Sequence, residues 1–223
     1  MFDFKSVPLP DYSRFEDGIN SVSHAIGVPL VAAGVAMCFH KLGAAATGMQ
    51  TAALIIYGVS MAIMFFGSGL YHGLKPSYAK RVTRVLDHSN IFIMIAGVLT
   101  GVYLLGVLNH YRTAAIALCA GTWAVSLVGI LLTFMDLHKF RKVQMAMYLL
   151  LGWTGIIGAV MMYRLGGSGR SFFWAVLISG ILYSAGAALY GVGKKIRYVH
   201  AVFHIFVLAA TMVQFYGIYM YML

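Results

Sequence analysis

Apolar residues in this chain come in long runs rather than in alternation. Stretches of about 20 mostly apolar residues recur along it, and that is the length a helix needs to cross a bilayer. The runs are 20–39, 50–73, 86–107, 114–135, 143–163, 171–192 and 198–222. They predict an all-α integral membrane protein, a bundle of seven transmembrane helices joined by short connections. No second domain fits: residues 1–19 form a short N-terminal segment and residues 20–223 the transmembrane domain. Pro29 lies inside the first run, where its missing N–H predicts a kink. Gly97 and Gly101 form a small-xxx-small pair that lets two helices approach closely.

Composition points the same way. Hydrophobic residues make up 61% of the chain and charged residues 10%, against about 25% charged in soluble domains. With a mean hydropathy of +0.85, a soluble fold of this size could not hide so much apolar surface, so the bilayer is the expected solvent. The net charge of +10 does not imply a nucleic-acid partner, because in membrane proteins such an excess collects in cytoplasmic loops. Twelve of the 16 basic residues fall on one side of the predicted topology: Lys5, Arg14, Lys75, Lys80, Arg81, Arg84, Lys139, Arg141, Lys142, Lys194, Lys195 and Arg197. Lys41, Arg112, Arg164 and Arg170 fall on the other. The N-terminus is therefore expected in the cytoplasm and the C-terminus outside, in a multi-pass protein of the cell membrane.

The C-terminal YGIYMYML then supplies tyrosines to the outer interface, and the basic stretch KPSYAKRVTRVLDH is expected to face anionic headgroups as a lipid anchor. Cys38 and Cys119 both sit in apolar runs. They are read as packing residues, which leaves out a disulfide scaffold and a thiolate metal site. The opening MFDFKSVPLPDYSRFEDG does not read as a signal peptide, since it carries acids and prolines and no basic region leading into an apolar stretch.

Ionisable groups inside spanning segments are costly and usually functional. His24 comes early in the first run, His72 ends the second, Asp87 and His88 open the third, and His200 and His204 open the seventh. In the predicted topology all of them share one depth, near the cytoplasmic leaflet. In YVHAVFHIF, His200 and His204 are four residues apart and so project from one helix face. Ser68 and His72, in SGLYH, have the same spacing, and Glu16, Asn20 and His24 make a polar stripe in EDGINSVSH. His88 follows Asp87 directly and points about 100° away on a helix, so the two are not expected to face one site. His40, His110 and His138 fall in or near loops and are expected to be solvated.

Three neutral histidines, His72, His200 and His204, suit a zinc ion (Zn2+). A catalytic zinc commonly has three protein ligands and leaves the fourth position to water, whose pKa falls towards about 7. Asp87 could orient that water, take its proton, or complete a closed site as a fourth ligand. Ser68, one turn deeper than His72, could hydrogen-bond Asp87 or a substrate carbonyl. Glu16 and Asn20 are open to two readings, capping near a helix start or support behind the ligands.

These elements resemble the hemolysin III branch of the progestin and adiponectin receptor (PAQR) family, which is similar to alkaline ceramidases. Three elements in order carry the resemblance: Glu16, Asn20 and His24; then Ser68, His72 and Asp87; then His200 and His204. Together they span residues 16–204. The resemblance implies a seven-helix bundle with its N-terminus inside, zinc on His72, His200 and His204, and Asp87 holding a zinc-bound water. In the receptor branch such a site looks like a lipid hydrolase acting on the amide of ceramide, and bacterial members are linked to membrane-lipid homeostasis.

The expected function is thus zinc-dependent hydrolysis of a lipid amide or ester, with a ceramide-like or other acyl lipid as partner. The alternatives are a non-enzymatic membrane-homeostasis sensor with a structural zinc, or a hemolysin-like membrane-active protein. A transporter fits less well, because the ionisable groups stop at one depth. A haem protein is a lesser option, and a retinal protein is disfavoured because no lysine follows Tyr198.

Overall fold

The computed structural model describes residues 4–193 and 196–223. Lys194 and Lys195, two of the basic residues counted above, lie outside the described residues, as do residues 1–3 of the N-terminal segment. Among the described residues there are nine α-helices: α1 (Arg14–Ala25), α2 (Gly27–Leu42), α3 (Gly48–Gly73), α4 (Tyr78–Gly101), α5 (Arg112–Met135), α6 (Arg141–Trp153), α7 (Gly155–Arg164), α8 (Ser168–Val192) and α9 (Val199–Tyr221). They combine into seven helical stretches long and apolar enough to cross a membrane: α1 with α2, α3, α4 with its continuation to Val107, α5, α6 with α7, α8, and α9. Seven predicted spans are therefore seven observed ones.

The two composite spans have local causes. The first breaks at Ile26 between α1 and α2. Pro29 lacks an N–H, and its ring crowds the carbonyl four residues back, that of Ala25. The fifth breaks at Thr154, whose hydroxyl turns back to the Leu151 carbonyl at 2.7 Å and also accepts from the Tyr103 hydroxyl at 3.0 Å. The sequence reading did not anticipate this second break.

Helix starts are set by side-chain caps, and two of them shift the predicted boundaries. Ser13 caps α1 with Glu16 in a reciprocal capping box, so the first helix begins at Arg14, inside the segment read as a short N-terminal extension. Ser77 caps α4, and the basic run after it is helical from Tyr78 rather than a loop up to residue 86. Residues that satisfy orphan N–H groups in this way extend a helix beyond its apolar stretch.

The third span is the centre of the bundle. In its apolar stretch 78% of residues are buried, against 22% in the fourth span. Gly97 and Gly101 bring α4 against α3, as their spacing suggested: a Cβ at Gly101 would stand 2.8 Å from the Tyr57 ring, and one at Gly97 would overlap Ser60. The outer surface keeps large apolar side chains such as Phe66, Leu131, Leu150 and Ile205 exposed, which only a lipid environment makes favourable.

Candidate metal centre

One end of the bundle carries the N-terminal segment, the ends of α3, α5 and α8, and the starts of α1, α4, α6 and α9. The last turn of α3 supplies His72 and the first turns of α9 supply His200 and His204. All three are buried, and each offers a ring nitrogen within 4.8 Å of the others. Nε2 of His72 and Nε2 of His200 lie 3.3 Å apart. Two lone pairs facing each other at that distance repel unless a proton or a cation lies between them. With Zn–N bonds of about 2.0–2.1 Å, two ligands of a tetrahedral zinc stand about 3.3–3.4 Å apart. The donor set and its spacing fit such an ion.

The other ring nitrogens explain why the rings face inward. His72 Nδ1 lies 3.0 Å from Asp17 Oδ1, so it donates to the carboxylate and turns Nε2 toward His200. Asp17 is held in turn by the Lys80 ammonium, which also donates to the Leu74 carbonyl at 2.9 Å. His204 Nδ1 lies 3.1 Å from the Asn20 carbonyl and 2.9 Å from the Ser23 hydroxyl, which itself donates to the same carbonyl. That network assigns the proton of His204 to Nδ1 and points Nε2 away from α1. Carboxylate and carbonyl partners of this kind fix tautomer and ring orientation in metal sites.

Glu16 caps α1 and also reaches the residue before α9. One oxygen accepts from the Ser13 backbone N–H, and the other accepts from the Tyr198 N–H at 3.0 Å. Tyr198 has φ +65°, a conformation that costs a bulky residue energy and needs external support. Glu16 thereby pins the start of α9 two residues before His200. Asn20 acts through its backbone carbonyl. His24 stacks on His204 with ring centroids 3.6 Å apart and meets Phe65 edge-on. It is 2% exposed, and neither of its ring nitrogens has a partner among the described residues.

The centre opens into a cavity of about 730 Å³. Ser68, Asp87 and His88 line it together with the three histidines. Asp87 is not part of the histidine cluster; its carboxylate lies 3.9 Å from His88 Nδ1. Asp87 and His88, not expected to face one site, both line this broad cavity, and neither belongs to the histidine cluster. Deeper in, the walls are Met64, Ile91, Met94, Val98 and Leu99. Over the mouth, Tyr12 packs its ring against His72 and His200, with centroids 5.8 and 5.4 Å away. Burial there, with the Tyr190 phenol next in importance, pushes the pKa of the Tyr12 phenol up.

Sequence reasoning missed Asp17, Ser23, Tyr12 and Lys80. The signal for Asp17 was its place seven residues before His24, two turns along one helix face. Lys80 belongs to the run read as a lipid-facing anchor, yet it is 2% exposed and paired with Asp17. Arg81 of the same run donates to the Val7 carbonyl, and Arg84 lines the cavity. These three basic residues face inward because α4 is the central helix, while Lys75 and Tyr78 of the same run are exposed. His40 and His110 are exposed, as expected; His138 is exposed too, but at the cavity mouth.

Residues 12–215 match the family described as Haemolysin-III related. The chain belongs to this family. It is 31% identical over 207 residues to the Hemolysin-3 homolog of Bacillus subtilis (strain 168), covering 92% of this chain and 94% of that one. It is 28% identical over 209 residues to Hemolysin-3 of Bacillus cereus, covering 93% and 92%. More distantly it is similar to the Adiponectin receptor protein of Drosophila melanogaster, 28% identical over 89% of this chain and 49% of that one. Family membership and the seven spanning helices make this a multi-pass integral protein of the bacterial cell membrane.

Proposed function

We propose that the protein is a zinc-dependent hydrolase of a lipid amide or ester, of the ceramide type or another acyl lipid, working at the cytoplasmic face. The observation that carries this reading is the three-histidine cluster, its rings turned inward by Asp17 and Asn20, at the polar end of a cavity whose depth is apolar. The excess of basic residues at the same end of the bundle supports a cytoplasmic placement.

Zinc held by His72, His200 and His204 would supply a Lewis acid and a water of lowered pKa. The chain's own groups do the rest. Asp87 lines the cavity beside the cluster and receives the proton released during attack at its carboxylate, for transfer to the leaving group. Ser68, one turn from His72, offers its hydroxyl to the substrate carbonyl. Met64, Met94 and Val98 take the acyl chain and exclude bulk water. Because Asp87 is not among the clustered donors, the ligand set has three protein members, the number found where a position is kept for chemistry. This favours hydrolysis over the sensor with a closed structural zinc.

The test is the metal content of detergent-purified protein by mass spectrometry, with hydrolysis of lipid amides measured in parallel. About one zinc per chain is expected, and it should be lost together with turnover in His204→Ala. Turnover that persists without metal would sink the hydrolase reading. Metal without turnover on any acyl lipid would turn the protein into the sensor.

A further inference from the structure

The end of the cavity beside the metal centre has a cationic wall that the chemistry above does not use. Arg84, Arg141 and Arg197 all line it. Arg84 and Arg141, with His88 and His138, also line a smaller adjoining pocket of about 200 Å³. None of the three arginines forms an ion pair with an acid among the described residues. Asp87, the nearest acid in sequence to Arg84, lies beside His88 instead, and Glu16, a further acid on the cavity wall, is occupied by two backbone N–H groups. Arg84 Nε is buried with no partner.

Two further buried donors on the cavity wall are unpaired as well. Gln144 is 1% exposed and Tyr71 3% exposed. Both line the cavity, and neither Gln144 Nε2 nor the Tyr71 hydroxyl has a partner among the described residues. The Tyr148 hydroxyl donates to the His88 carbonyl at 2.8 Å and so sets α4 and α6 side by side at that level. Both helices start at the same end of the bundle. Four residues back along each, about 6 Å nearer that end, come Gln144 and Arg84, and both line the cavity. An unsatisfied buried amide costs energy, and guanidinium forks lacking a carboxylate match phosphate geometry.

We infer that Arg84, Arg141 and Gln144, with the Tyr71 hydroxyl, bind a phosphate group, and that it arrives on a lipid headgroup. The lipid source follows from continuity. The cavity that carries the cationic wall is also lined by Met94 and Val98, apolar residues that a free phosphate would leave unused. If the hydrolase reading also holds, the substrate is a phosphate-bearing acyl lipid. The headgroup site does not depend on the metal, and its test reads binding rather than turnover.

Full-length protein in detergent is stripped of lipid and titrated with dioleoyl phosphatidic acid, with dioleoylglycerol, and with inorganic phosphate. The two lipids differ only in the phosphate. Phosphatidic acid should raise the melting temperature and stay bound in native mass spectrometry, and dioleoylglycerol should do neither. Arg84→Gln with Arg141→Gln should weaken phosphatidic acid binding by about tenfold to a hundredfold, and Arg112→Gln at the opposite end should not. If the double variant does not fold, Gln144→Leu with Arg141→Gln takes its place. Equal binding of the two lipids, or unchanged affinity in the folded variant, overturns the site. Stabilisation by inorganic phosphate that equals that by phosphatidic acid overturns the headgroup assignment. An unchanged zinc content in the variant would show that any loss of lipid is independent of the metal centre.

Discussion

Asp17 offers the sharpest test of how the centre is built. Asp17→Ala removes the acceptor that holds His72 Nδ1 and also leaves Lys80, whose side chain is 3% exposed, without its counter-charge. Removing one partner of a buried pair costs about 3–5 kcal/mol. Lys80 keeps its bond to the Leu74 carbonyl and the Asp17 side chain is 17% exposed, so a loss of about 3 kcal/mol is expected. The metal should suffer separately. Groups that orient a metal-bound histidine are worth about tenfold to a hundredfold in affinity, or about 1.4–2.7 kcal/mol. The two effects can be parted with Asp17→Ala combined with Lys80→Met, which removes the stranded charge and should recover most of the stability but none of the affinity. Thermal unfolding in detergent reads the first quantity, and competition with a fluorescent zinc chelator reads the second. A folded Asp17→Ala protein that binds zinc as tightly as the wild type would refute the role given to this carboxylate.

Other consequences follow from the same geometry. Glu16→Ala should cost about 0.5–1.5 kcal/mol from the lost half of the capping box, and it should also weaken zinc binding by releasing Tyr198; a Ser13→Ala control should lower the melting temperature without that second effect. Tyr12→Ala uncovers His72 and His200, so a chelator should strip the metal faster from this variant in a stopped-flow assay. Gly101→Leu forces a side chain onto the Tyr57 ring and should destabilise the bundle by about 1–3 kcal/mol, read as a lower melting temperature. Chelation of the wild type should lower its melting temperature and added zinc should restore it, because a ligand bound only by the folded state stabilises it.

Much of the fold was legible in the chain because the bilayer imposes a simple rule. Each crossing needs one long apolar run, and the runs of this sequence map one to one onto the observed spans. The break near Ile26 was legible too, since Pro29 acts on its own helix. The break at Thr154 was not, because it rests on a hydroxyl network that reaches Tyr103 on another span. The three clustered histidines were named from helix spacing and shared depth, properties that each helix carries independently. What the sequence could not supply was which side chains stand behind them. Asp17 reaches His72 across 55 residues, Glu16 reaches Tyr198 across 182, and Lys80 is buried only because α4 is the central helix. Periodicity fixes the face of a helix on which a residue lies. Whether that face meets lipid, a neighbouring helix or a cavity is set by how the helices pack, and that choice made an acid beside Glu16 a support for the histidine cluster and part of a basic run the wall of a cavity.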